Sequence, residues 1–318
     1  MPTRTLAPLL CALPLLAACP PEDDHDSDAA DAADATAGDA ADTGAGDAAT
    51  TDAGADADAE PTDVVVGPIA ATPGARCELS ERIGLVELSG DGASIYVSAT
   101  VFDRADPWYG APELSTAACR FFHFTPVGCG TCASDEVCAP DGHCKLAPLG
   151  RADASLTLSA GGATQTFTAD AATGQMYGAV TLTGPTFALD LDFGGQHVTL
   201  GDTTMPGMVE GVGGALQGGY DHPTGLDVHW TAPASAAGSR VFTHIPINHH
   251  AGGPTFTECD VASSAASFHV DGDMLAPLAV STGLEFQGIE HMQVARAETP
   301  QGCVEVRFQV QQYVDLGF

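Results

Sequence analysis

From residue 76 onward, apolar and polar side chains alternate in short runs separated by Gly, Pro and Asp. Ile95, Val97, Ala99 and Val101 share one side against Tyr96, Ser98 and Thr100, and Phe187, Leu189, Leu191 and Phe193 oppose Asp190 and Asp192. Leu226, Val228 and Trp230 oppose Asp227 and His229. Val304, Val306, Phe308 and Val310 oppose Glu305, Arg307 and Gln309. A period of two marks half-buried strands. Further candidates lie near 83–88, 117–124, 154–159, 176–182, 240–245, 265–271 and 284–297, and no amphipathic helical period emerges. Many short strands with turn residues between them predict an all-β fold, an antiparallel β-sandwich-like body of one large or two smaller units. The glycine-rich stretch from Gly211 to Gly219 lacks the lysine of a phosphate loop and is expected to be a flexible connection.

Ten cysteines include Cys11 and Cys19 near the start, leaving Cys77, Cys119, Cys129, Cys132, Cys138, Cys144, Cys259 and Cys303. An even set in an exported chain favours disulfides, although eight cysteines allow 105 pairings. Cys129, Cys132, Cys138 and Cys144 fall within sixteen residues and predict a small knob held by bridges rather than by a core. Zinc is the competing use, but no second C-x-x-C pair is present, and a redox dithiol lacks a surrounding βαβ pattern.

Before the alternation comes a tract without aromatic or large aliphatic residues. Residues 22–63 carry 13 Asp and 2 Glu and neither Lys nor Arg, against a net charge of −32 for the chain. Such a segment cannot bury enough apolar surface to fold. Its unperturbed reach is roughly 35–40 Å, extended further by charge repulsion. Upstream, Arg4, an apolar stretch from Thr5 to Ala18 and small residues before Cys19 follow the order of a secretory signal, too short for a membrane span. Leu16-Ala17-Ala18-Cys19 resembles the lipobox of bacterial lipoproteins, which implies a lipid on Cys19. The tether and knob together are similar to those of myxobacterial-type lipoproteins, a resemblance implying a location and a β-rich body but no other functional residue. Pro20, Glu22, Asp23 and Asp24 resemble outer-membrane sorting signals rather than an inner-membrane retention mark. The expected organisation is a signal at 1–18, the lipidated cysteine and tether at 19–63, an N-terminal β region at 64–128, the knob at 129–145 and a C-terminal sandwich region at 146–318.

The acidic balance, with Lys145 the sole lysine, argues against nucleic acid as a partner. No G-x-S-x-G elbow, H-E-x-x-H helix or EF-hand spacing occurs. His222, His229, His244, His249 and His250 fall close together and raise the alternative of an exported metalloprotein or hydrolase. Asp190 with Asp192, and Asp271 with Asp273, are candidate oxygen ligands that match no known loop. Trp108 and Tyr109, beside Pro107 and Gly110, form a candidate ligand-stacking pair. The expectation is therefore a lipid-anchored outer-membrane protein without a cofactor, binding a glycan or protein rather than acting as an enzyme. A purely structural envelope component is the remaining alternative.

Overall fold

The computed structural model describes residues 68–90, 95–124, 128–181, 186–234, 238–247, 255–279, 284–286 and 288–316. The signal, Cys19, the tether, His249 and His250 lie outside the described residues. The strands are β1 (Ile69–Ala70), β2 (Thr72–Pro73), β3 (Arg82–Gly90), β4 (Ile95–Val101), β5 (Leu114–Ser115), β6 (Cys119–Phe122), β7 (Glu136–Cys138), β8 (Cys144–Leu146), β9 (Ser155–Ala160) and β10 (Ala163–Thr168). There follow β11 (Gln175–Val180), β12 (Phe187–Phe193), β13 (Gln196–Thr203), β14 (Glu210–Gln217), β15 (Gly225–Thr231), β16 (Ser239–Pro246), β17 (Phe256–Ala262), β18 (Ser267–Asp271), β19 (Ile289–Thr299) and β20 (Gly302–Gln312). A single-turn helix, α1 (Gly272–Leu275), follows β18. The fold is all-β, as the alternation predicts.

A ten-stranded sheet, ordered β11-β4-β3-β20-β19-β16-β17-β6-β5 with β2 also on β19, forms the back of the molecule. Cross-strand partners share a face, and Gly84, Val304 and Ala297 start a row that continues through Val86–Val306–Ala295 and Leu88–Phe308–Gln293. The same face carries Val241 opposite His291, and Cys119 opposite Cys259. Two smaller sheets cover this face. The sheet β1-β13-β12-β9-β10 packs Leu156, Leu158, Leu189, Leu191 and Val198 against Val86, Leu88, Val304, Val306 and Phe308. The sheet β14-β15-β18, with α1, packs Leu226, Val228, Trp230 and Val270 against Phe121, Val241 and Ile245. Dry contact between large aliphatic side chains is the dominant stabilising term in both lobes.

The regions 64–128 and 146–318 do not form separate bodies. β3, β4 and β6 come from the first and β20, β19, β16 and β17 from the second, and they alternate within one sheet. Nor is the pairing wholly antiparallel, because β3 runs parallel to β20 and β1 parallel to β13. Parallel neighbours need a long connection, and more than two hundred residues separate β3 from β20. The stretch Gly211–Gly219 is not a flexible connection over most of its length: Glu210–Gln217 is strand β14, paired with β15. Gly214 is a spatial requirement, since a Cβ there would sit 2.9 Å from both Leu316 and Val314 and 3.0 Å from the Asp227 backbone oxygen.

Four disulfides brace the fold. Cys129–Cys138 and Cys132–Cys144 hold the β7–β8 hairpin, so the knob is closed within itself. Cys119–Cys259 joins directly opposed residues of β6 and β17. Cys77–Cys303 straps the chain before β3 across the uncovered face of the large sheet.

Candidate functional site

The uncovered face of the ten-stranded sheet is where the chain's few cations gather. Nine of its ten basic residues lie within the described segments, and Arg76, Arg82, Arg120, Arg240, Arg296 and Arg307 are all on or over this face. Around them stand Glu87, Glu258, Asp260, Glu290 and Glu305. Glu305 is 0 % exposed. It accepts hydrogen bonds from the Arg307 guanidinium, from Arg76 Nε at 3.2 Å and from the Cys77 backbone N–H at 2.8 Å. Burial alone would raise its pKa, but Arg307, Arg76 and Arg82 outweigh that and hold it down at about 2. Arg76 reaches on to Glu258 at 3.4 Å and Asp260 at 3.5 Å, and Arg120 joins Glu258 to Glu78. Arg76 and Arg307 both lie over the Phe242 ring, at 4.4 and 5.1 Å from its centroid. Buried charges are tolerated when paired and hydrogen-bonded, and this lattice meets that condition.

The lattice does not absorb every charge. A register shift between Cys303 and Val304 sends Ile83 into the core and leaves Arg82 opposite Cys303 on the open face. Arg82 is 17 % exposed, and its nearest carboxylate oxygen, on Glu305, is 3.9 Å away, beyond hydrogen-bond range. Burial lowers its pKa, and Arg307 and Arg76 push the same way against the opposing pull of Glu305. Glu290 is the converse case: its Oε2 is buried without a hydrogen-bond partner, and burial raises the carboxyl's pKa.

Arg82 stands in the shared wall of two adjoining recesses, with Leu79, Leu85, Glu87 and Tyr109. One, of about 300 Å³, continues past Ser98, Thr100, Phe102 and Asp106. The other, of about 240 Å³, is floored by Phe242, Phe256, His244, Glu258, Glu290 and Arg307. Burial lowers the pKa of His244, opposed by Glu258 and reinforced by Arg307, Arg76 and Arg82, so the imidazole is neutral near pH 7. Burial likewise raises the Tyr109 phenol and keeps it protonated. From the cleft a cross-strand row runs Arg307–Glu87–Ser98–Tyr177 over β20, β3, β4 and β11. Tyr177 is 76 % exposed and Tyr96, diagonal to it on β4, is 54 % exposed. Together they form an aromatic platform beside a charged, ligand-sized cleft.

The residues singled out in the sequence are distributed unevenly. Tyr109 is in the cleft wall, its ring edge-on to Phe256 at 6.1 Å. Trp108 turns away and packs on Phe124 at 5.8 Å, its backbone N–H donating to Asp106. His222 is exposed on the turn between β14 and β15, His229 points outward from β15, and His244 lies on the open face of β16, so these three do not converge. Asp192 holds His197 at 2.7 Å on the outside of β12 and β13. Asp271 and Asp273 line a recess of about 520 Å³ between β5 and α1. Among the described residues the one group with metal-compatible spacing is Cys129, Cys132 and Cys144, whose sulfurs are consumed by the knob's bridges.

Arg82, Glu87, Glu290, Arg307, Tyr96 and Tyr177 are the residues that strand patterning passes over, because it assigns them to a solvent face. The available signal is the concentration of arginine and glutamate on the polar side of β3, β17 and β20 in a chain otherwise poor in cations. A scan against protein-family models finds no match, and a search of curated proteins finds none either. The geometry alone carries the functional reading.

Proposed function

We propose that this is an exported, lipid-anchored envelope protein whose uncovered sheet face binds an oligosaccharide without catalysing its turnover. The observation that carries the binding reading is the row from the Tyr96 and Tyr177 platform through Ser98 and Glu87 into the Tyr109 cleft. Flat, exposed rings offer apolar contact to a sugar face at low entropic cost, while hydroxyl and carboxylate groups alongside accept and donate at the ring edges. Three strand spacings, about 14 Å, separate the ends of the row, a span suited to a short oligosaccharide.

The anchor reading rests on the Leu16-Ala17-Ala18-Cys19 sequence, supported by four disulfides, which fit an oxidising compartment. An acidic tether would then hold the sheet face away from the membrane. Two measurements test the proposal. Cys19→Ala should move the protein from the membrane to the soluble fraction, and retention of that variant in membranes would sink the anchor. A glycan array should show saturable binding that Tyr96→Ala with Tyr177→Ala abolishes; unchanged binding by that double variant would move the ligand elsewhere.

A further inference from the structure

The oligosaccharide reading leaves one group in the cleft without a purpose. Arg82 is held among Leu79, Leu85 and Tyr109, and its guanidinium makes no hydrogen bond among the described residues. Its neighbours are spoken for: Arg76 by Glu305, Glu258 and Asp260, Arg307 by Glu305 and Glu87, Arg120 by Glu258 and Glu78. A desolvated guanidinium beside two other cations is electrostatically incomplete. Resting on the binding reading above, we infer that the natural ligand is an acidic oligosaccharide, and that Arg82 receives the carboxylate of a uronic-acid-type sugar.

Three features select this chemistry. First, the guanidinium presents paired N–H donors in a plane that matches the two oxygens of a carboxylate, and in a recess shielded from water that match gains strength. Second, a guanidinium whose ion pair is a 3.9 Å contact to a Glu305 oxygen already shared by Arg76 and Arg307 has room for a monoanion. A phosphate dianion would leave excess negative charge within the same walls as Glu87, Glu258 and Asp106. Third, the recess holding Arg82 opens along Ser98 and Thr100 toward the row that reaches Tyr177, so one chain can seat a carboxylate at Arg82 while a further sugar ring lies on the tyrosines. Glu290, whose Oε2 lacks a hydrogen-bond partner in the adjoining recess, offers that oxygen as an acceptor to a hydroxyl of the same chain.

Calorimetric titration of the purified, oxidised protein with a defined oligouronate, its methyl ester and the neutral oligosaccharide of the same linkage tests this. The oligouronate should bind more tightly than either uncharged form. Arg82→Gln should lower oligouronate affinity about tenfold to a hundredfold, the effect of losing a charge-assisted hydrogen bond, and leave the ester's affinity unchanged. Because the contact of Arg82 within the described fold is a long 3.9 Å approach to Glu305, Arg82→Gln should shift the melting temperature far less than Glu305→Gln does, which separates lost binding from lost structure. Equal affinity for all three sugars, an unaffected Arg82→Gln variant, or equal binding of an acidic peptide of matched charge would overturn the carboxylate assignment. With equal sugar affinities that still depend on Tyr96 and Tyr177, the broader oligosaccharide reading survives. Absence of binding to every sugar would overturn both.

Discussion

Glu305 occupies a position that looks like the solvent side of a strand and is the least accessible charged group on the face. Its alternation with Val304 and Val306 correctly separates it from the sandwich core. What alternation cannot reveal is that the strap fixed by Cys77–Cys303 crosses that second face locally and buries Glu305 beneath it. Removing one partner from a buried ion network strands the others. Glu305→Gln should therefore cost about 3–5 kcal/mol of stability in urea unfolding, because Arg76 and Arg307 lose their shared counter-charge. The pH dependence follows in sign. Glu305 titrates lower in the folded chain, at about 2, than at its ordinary value of 4.5, so its contribution is complete above that ordinary value and lost as pH falls toward the folded one. Glu258 is shifted the same way: burial opposes, but Arg76 and Arg120 prevail. Acid unfolding monitored by circular dichroism should accordingly begin below the usual carboxylate range, and Glu305→Gln should flatten that limb. Glu290 behaves oppositely. Its raised pKa makes its ionisation a liability as pH rises, so Glu290→Gln should leave neutral-pH stability unchanged or increased, and a large loss would show that its charge is compensated after all.

Strand β14 shows where composition misleads. Gly211–Gly219 carries little side chain to pattern, so its sequence has no period to read, whereas β4, β12, β15 and β20 have large apolar residues at every second position. The strand exists because β15 supplies its backbone partners and because the segment after β20 needs a surface without side chains to lie on. Gly214 donates its N–H to Asp315 O at 3.2 Å while Val314 and Leu316 close over its Cα. Gly214→Val should push that segment away at a cost of about 1–3 kcal/mol, the usual range for overpacking. Hydrogen exchange should show faster labelling around residues 313–316 with β4 and β12 unaffected. Labelling unchanged from the parent would mean that the segment's packing on β14 contributes nothing. The cleft was partly readable on the same terms: Tyr109 stood out as an aromatic in a turn, but Arg82 reaches the site only through a register shift that no single-strand pattern encodes.

Which strands form was largely legible, but which strands pair was not, because a hydrophobic face specifies burial and is silent about neighbours. The sequence suggests a break near the knob. Instead β3 from before it pairs with β20 from the far end, and both lobes rest on that continuous sheet. β19 belongs to both: Ala295 and Ala297 lie in the core under the five-stranded sheet, and Ile289 in the core under the three-stranded one. Melting either lobe would expose one end of β19 and strip pairing from β16 or β20, so neither lobe has a stable state of its own. Two of the bridges reinforce this coupling, closing separations of 226 and 140 residues, one on each half of the large sheet. Loops this long confer the greatest loss of unfolded-chain entropy, about 4 kcal/mol or more apiece in the chain-entropy treatment. The oxidised protein should thus unfold in one calorimetric transition whose measured enthalpy equals its van't Hoff enthalpy. Replacing Cys77 and Cys303 by Ala should lower the midpoint while keeping a single transition, since the shared strand remains. If the lobes were independent, that same variant would resolve into two transitions, the one containing β3 and β20 melting first.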